Sequence, residues 1–257
     1  MLPSYRKTWM HRVNPSLKLL LSLALFLFVL LVDDINALLF FTAACLLLLV
    51  FFSGYPLLKL LLVASPFILL FVSSSVSMMF FGKGETVWLE WGLVRISQES
   101  FVRGLAVGFK SVDFSAVGLL FALTTRPVDL FYSLMQQLKL PPKYAYSFMA
   151  AANLIPMTVS EYRTLRQALK VRGVRYRRGA AGIYDRLRRY AVPLLAQSIR
   201  RAQRIAVAME AKRFSSAKER TYYYELGFSA SDVFYALCWL AAAAAAVYAG
   251  GAVPVIS

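Results

Sequence analysis

Apolar residues in this chain gather into long runs instead of alternating with polar ones. The first extends from Leu17 to Val32, with Lys18 at its edge and Ser22 inside, and Asp33-Asp34 ends it. Ile35 to Phe52 follows without a charge, and Ser53-Gly54-Tyr55-Pro56 reads as a turn. A third run covers Leu57 to Phe81, with Lys59 near one end. The fourth covers Leu105 to Leu123, and the fifth, rich in alanine, covers Val233 to Val247. Each approaches or exceeds the roughly 17 residues that cross a bilayer core once interfacial ends are counted. Hydrocarbon offers no partner to a bare peptide group, so each run is predicted to be a helix. Arg6, Lys7 and Arg12 precede the first run as in a signal peptide, but four more runs follow and no small-x-small site ends the first. It is expected to stay as an uncleaved span.

Between the fourth and fifth runs the pattern changes to amphipathic helix. Ile155, Val159, Tyr162, Leu165 and Leu169 recur at steps of three and four, one face of an α-helix. Arg163, Arg166 and Lys170 form a basic stripe beside them. Gly173 suits a C-cap. Arg172 is the next position of the seam, a cation where the helix dipole favours one. A second long helix is predicted from about Tyr184 to Arg213, with Leu195, Ile199, Ala202, Ala206 and Met209 as its seam and Arg200 and Arg204 on another face. Ala202 and Ala206 are small enough to admit a close neighbour. This seam also ends in cations, Lys212 and Arg213. Pro156 and Pro193 are expected to kink the two helices. Two amphipathic helices that each end in positive charge suggest two docking points on a partner.

Composition sharpens the class. Of 257 residues, 59% are hydrophobic and 16% charged, with a mean hydropathy of +0.59. That excess, concentrated in runs, marks an integral membrane protein. Charge then orients it. With the N-terminus in the cytoplasm, 24 of the 29 Lys and Arg residues fall inside and three (Lys83, Arg95 and Arg103) fall outside, while Lys18 and Lys110 sit within spans. This predicts N-terminus in and C-terminus out. The segment 124–229 alone holds 20 basic and 6 acidic residues. The expected architecture is an all-α integral membrane protein of about five transmembrane helices, with a cytoplasmic domain of long amphipathic helices. Residues 1–123 form the membrane domain with spans 1–4, 124–229 the cytoplasmic domain, and 230–257 the C-terminal transmembrane helix. The outer loop from Gly82 to Ser100, with Trp88 and Trp91, reads as a short hairpin or an interfacial segment.

Candidate chemistry is sparse. His11 is the only histidine, and Cys45 and Cys238 both lie in apolar runs. No catalytic group, metal site, cofactor or disulfide is expected. Gly104 to Ser111 superficially resembles a phosphate loop, but the spacing is wrong, and Gly104 and Gly108 read as close-packing positions. Lys110 and Asp113, three apart in the fourth span, are placed where they can pair, as a functional site or a structural ion pair. The run Arg172 to Arg178 also reads as a patch for anionic lipid headgroups. The rival reading of the whole chain is a membrane-anchored basic scaffold binding anionic lipid or nucleic acid. A secondary transporter is disfavoured, because no internal repeat is visible.

Five patches, in order, carry a resemblance. They are His11-Arg12-Val13-Asn14-Pro15-Ser16-Leu17-Lys18-Leu19; Thr124-Thr125-Arg126-Pro127; Leu140-Pro141-Pro142-Lys143-Tyr144; Val171-Arg172-Gly173; and Ala208-Met209-Glu210-Ala211-Lys212-Arg213-Phe214. Together they resemble the transmembrane component of energy-coupling factor transporters, the EcfT/CbiQ family, over nearly the whole chain. The family's second motif usually reads Ala-Met-Glu-Ala-Arg-Gly-Phe, so Lys212 and Arg213 depart from it, as does Asn153 where an Arg often precedes Ile-Pro. The resemblance implies a non-catalytic plasma-membrane subunit that couples two cytoplasmic ATP-binding subunits, identical or different, to a small substrate-binding membrane protein. The cargo would be a vitamin or a metal ion such as cobalt or nickel, and no nucleic acid would be bound. It implies ATPase docking through Val171, Arg172, Gly173, Ala211, Lys212 and Arg213. Tyr162, Leu165, Leu169, Ile199, Ala202, Ala206 and Met209 would pack the helices together or meet the substrate-binding subunit.

Overall fold

The computed structural model describes residues 8–82, 87–91, 94–174, 179–214 and 222–252. A 3-10 turn, Trp9–Arg12, leads into α1 (Pro15–Leu31), α2 (Ile35–Phe52) and α3 (Leu57–Phe81). Strands β1 (Val87–Trp91) and β2 (Val94–Ser97) precede α4 (Gln98–Thr124) and α5 (Pro127–Gln137). Then come α6 (Pro142–Val171), α7 (Ala180–Ala211) and α8 (Ala230–Ala252). The chain divides into two compact units, one of Met1–Ser133 with Leu226–Ser257 and one of Leu134–Glu225.

The first unit is the membrane bundle. Helices α2, α3, α4 and α8 are long and apolar enough to cross a bilayer, and α1 is a shorter apolar helix of 17 residues. Polar residues between the apolar runs set the helix starts. Asn14 accepts from Ser16 N ahead of Pro15, Asp34 from Asn36 N, and Ser97 from Ser100 N. The Ser97 cap explains why α4 begins at Gln98, about two turns before the apolar run at Leu105. The segment between α3 and α4 folds as a hairpin, with β1 antiparallel to β2, Glu90 opposite Arg95 and Trp91 opposite Val94. Apart from this hairpin the described residues are helical or irregular. The protein is therefore an all-α integral membrane protein of about five transmembrane helices.

Large side chains are buried where helices meet and exposed where lipid would lie. Phe41, Leu38, Cys45, Leu120, Val29 and Trp239 form the core, with Phe41 6.2 Å from Trp239 and 5.4 Å from Phe28. Leu31, Leu58, Leu62 and Leu69 face outward. Backbones approach closely at two glycines of α4. A Cβ on Gly104 would lie 2.6 Å from Met79 Cγ and 2.9 Å from the Ser75 carbonyl, and one on Gly108 would lie 2.7 Å from the Phe71 ring. Ser75 Oγ donates to the Gly104 carbonyl at 2.9 Å, fixing that crossing.

Lys110 and Asp113 do not pair with each other. Lys110 Nζ lies 3.2 Å from Asp33 Oδ1 and donates to the Leu30 carbonyl, so it closes the end of α1. Asp113 is fully buried. Three residues of helix leave a rotation of about 60° between the two side chains. That turns Asp113 toward α2, beside Thr42 and Cys45, while the long lysine stem swings to the α1–α2 loop. Thr42 spends its own hydroxyl proton on the Leu38 carbonyl. Neither Asp113 oxygen has a hydrogen-bond partner among the described residues.

Candidate functional site

The second unit is built on α6 and α7, helices of 30 and 32 residues with Pro156 and Pro193 in their interiors. Their contacts run in opposite chain directions. Tyr146 near the start of α6 meets Phe214 just beyond α7, with ring centroids 5.3 Å apart. Glu161 and Arg201 form an ion pair near mid-helix, with side chains only 13% and 19% exposed. Tyr162 meets Tyr190 at 5.1 Å. At the far end Leu165, Leu169 and Arg172 share an open groove of about 460 Å³ with Asp185, Arg188, Arg189, Val192 and Pro193. The helices are therefore antiparallel, and their C-terminal ends lie at opposite ends of the pair. Along α7, the stretch from the residues facing Arg172 to Lys212 covers roughly 40 Å of helix.

Both ends carry the same cap. At α6, Gly173 N–H donates to the Lys170 carbonyl and Val174 N–H to that of Leu169. At α7, Arg213 N–H donates to the Glu210 carbonyl and Phe214 N–H to that of Met209. These are the paired bonds of a Schellman motif, which needs a left-handed residue after the C-cap. Gly173 supplies it at φ 65°, and Arg213 at φ 53°. The caps thus equate Arg172 with Lys212, each the C-cap residue, and Gly173 with Arg213. Val171, Arg172, Gly173, Ala211, Lys212 and Arg213 are all exposed, Val171 at 89%. Each helix so ends in an exposed cation beside its unpaired carbonyls. Of the basic run after Arg172, residues 175–178 lie outside the described residues.

The seam residues divide. Tyr162, Leu165, Leu169 and Met209 are half-buried, whereas Ile199, Ala202 and Ala206 are exposed. The half-buried face of α7 runs through Leu194, Ser198, Arg201 and Ile205, with Tyr190 buried. It is set by the tyrosine contact and by the Glu161–Arg201 pair. An arginine at a buried seam position hid this face from an apolar reading. The available signal was Glu161, the only acid in a helix that otherwise carries lysines and arginines.

In the membrane unit the first two sequence patches converge. Asn14 N–H donates to Asp232 Oδ1 at 2.7 Å, and Ser229 N–H donates to Oδ2 at 2.7 Å. Asn14 Oδ1 accepts from Ser16 N–H and from Ser133 Oγ, and the Ser16 and Ser133 hydroxyls bond to each other. Lys18 Nζ donates to the carbonyl and hydroxyl of Thr124 at 3.1 and 3.2 Å. This buried polar knot ties α1, α4, α5 and α8 together. Sequence reading found the patches but missed Asp232 and Ser133, whose partners lie more than a hundred residues away.

A family model described as CbiQ, cobalt transport protein, matches residues 6–223. Among curated relatives, the energy-coupling factor transporter transmembrane protein EcfT of Listeria innocua is 29% identical over 238 residues, 88% of each chain. The protein of the same description from Lacticaseibacillus paracasei is 25% identical over 253 residues, covering 95% of this chain and 92% of its own. That of Limosilactobacillus fermentum is 31% identical over 162 residues, 59% of this chain and 60% of its own.

Proposed function

Since the chain belongs to the CbiQ family of energy-coupling factor transporter transmembrane components, we propose that it is the coupling subunit between two ATPases and a substrate-binding membrane protein. The observation that carries this reading is the repeated cap. One exposed cation sits on the same backbone motif at each end of an antiparallel helix pair. Two equivalent ends, roughly 40 Å apart along the helix axis, suit two ATP-binding subunits related by a two-fold axis. Each cation, with the exposed backbone of its cap, inserts into an acidic groove of one ATPase. Closure of the ATPase pair on ATP then moves the ends of α6 and α7. Ile199, Ala202 and Ala206, exposed along α7, receive the small membrane subunit that binds a vitamin or metal ion. In this reading the protein lies in the plasma membrane with its N-terminus and the segment 124–229 in the cytoplasm.

The test compares loss of a single cap cation with loss of as much charge or more at other positions. A charge-assisted contact contributes about 1.5 to 3 kcal/mol, so losing one weakens docking by roughly 10- to 150-fold. Arg172→Ala and Lys212→Ala should each reduce ATPase co-purification and uptake on this scale, with normal membrane insertion. Arg213→Gly, which restores a glycine at the left-handed position, should retain docking. Arg200→Gln with Arg204→Gln removes two exposed charges from the middle of α7 and should leave docking nearly intact. If assembly follows total charge removed instead of cap position, the docking model fails and the basic surface is better read as lipid-facing.

A further inference from the structure

A pocket of about 260 Å³ opens in the membrane unit where α1 begins, α4 ends and α5 starts. It is lined by Thr8, His11, Arg12, Lys18, Thr124, Thr125, Arg126 and Asp129, among others. Its volume is several times the ~30 Å³ share of one water. Three basic side chains face it, Arg12, Lys18 and Arg126, against the single carboxylate of Asp129. The N-terminus of the 11-residue α5 adds the positive end of a helix dipole.

Lys18 is the telling residue. It is only 1% exposed, yet its two hydrogen bonds go to neutral acceptors of Thr124. No carboxylate lies within salt-bridge distance of its Nζ among the described residues. A buried ammonium is normally matched by an opposite charge. Here one of its three N–H donors is left without a partner at the floor of a cavity, and the carboxylate whose charge acts on it, Asp232, lies beyond salt-bridge distance. Thr125 Oγ1 is also buried without a hydrogen-bond partner among the described residues. An ammonium, a hydroxyl, two guanidinium forks and a helix N-terminus are the donor set that binds a tetrahedral oxyanion.

We propose that this pocket is a binding site for a phosphate group. Its place at the end of apolar helices puts it at the depth of lipid headgroups, so the phosphodiester of an anionic phospholipid is one source and a soluble phosphate the other. The site is distinct from the α6–α7 ends and does not rest on the coupling role. Arg12 and Arg126 are exposed on its rim, so they can be changed without touching the core.

The full chain in dodecyl maltoside would be titrated with phosphatidylglycerol, with phosphatidylcholine and with inorganic phosphate, and binding followed by native mass spectrometry and thermal shift. Phosphatidylglycerol should bind at least 10-fold more tightly than phosphatidylcholine. Arg12→Gln with Arg126→Gln should lose about that factor, while Arg200→Gln with Arg204→Gln should not. Binding of inorganic phosphate with the same arginine dependence, and no lipid binding, would keep the site and assign it to a soluble anion. Loss of lipid binding in both double variants alike, or no arginine-dependent binding of either probe, would overturn it. Lys18→Met adds a check on the buried amine: a folded variant that binds either probe as tightly as the parent sinks the proposal.

Discussion

Arg213 shows how one side chain can depart from a motif while the backbone keeps it. The Schellman cap of α7 forces φ 53° on this residue. For a side chain with a Cβ that conformation costs roughly 1 kcal/mol more than for glycine. Arg213→Gly is therefore expected to raise the thermal stability of the chain in detergent by up to about 1 kcal/mol, less what the freer unfolded chain takes back. Gly173→Ala, at φ 65° and with open space around its Cβ position, should lower it by a similar amount. A fall in melting temperature for Arg213→Gly would mean that the guanidinium contributes more to the fold than the strain costs. Asp113 poses the complementary case, a buried carboxylate with no hydrogen-bond partner among the described residues. Asp113→Asn keeps the side-chain shape and cannot ionise, so it should leave stability equal or higher wherever the carboxyl carries charge, because an unpaired ion in hydrocarbon is expensive. A melting temperature several degrees lower would show that a charged partner is present in the membrane. Single residues were the least legible part of the chain. Capping glycines and prolines act on their own backbone and can be read locally. The partners of Lys18, Lys110 and Asp232 come from distant segments, and no local pattern names them.

Elements were far more legible, because the bilayer makes apolar run length a direct signal. All five runs became helices, and the segment between the third and fourth became a hairpin. The errors lie at boundaries and faces. Helix α4 starts before its apolar run because hydrogen bonding and the Ser97 cap, not hydropathy, decide where a helix begins. The face of α7 turned toward α6 includes a paired arginine, so apolar periodicity pointed to a neighbouring stripe instead. The reading of Gly104 and Gly108 as close-approach positions leads to a test on one helix. At Gly104 an added Cβ meets a backbone carbonyl, which cannot swing aside, at 2.9 Å. Gly104→Ala should therefore destabilise the α3–α4 crossing by about 1 to 3 kcal/mol. Gly118→Ala, on the same helix with nothing within 4 Å, should be neutral or slightly stabilising, as helix propensity alone would predict. Equal effects at both positions would show that α3 and α4 do not approach each other this closely in the bilayer.

For the whole molecule, orientation in the membrane decides whether the caps of α6 and α7 can reach cytoplasmic partners at all. The argument for it is electrostatic: 24 of 29 Lys and Arg residues fall on one side if the N-terminus is cytoplasmic, and three fall on the other. Much of that excess belongs to the long segment 124–229, for which the rule is weaker. Independent weight comes from Arg6, Lys7 and Arg12 beside the first span. Five crossings then leave α8 ending outside. The two native cysteines, Cys45 and Cys238, lie in spans and can be replaced by alanine to give a silent background. A cysteine at Gly179 would be strained by its φ of 88°, so Tyr223, 91% exposed, is the better reporter for the second unit. Gly84, outside the described residues, reports on the segment before the hairpin. In intact cells an impermeant maleimide should label Gly84→Cys and spare Tyr223→Cys. After permeabilisation Tyr223→Cys should label as well, which separates protection by the membrane from burial by a partner. Labelling of Tyr223→Cys in intact cells would place the basic unit outside, beyond the reach of ATP, and the coupling role would fall with it.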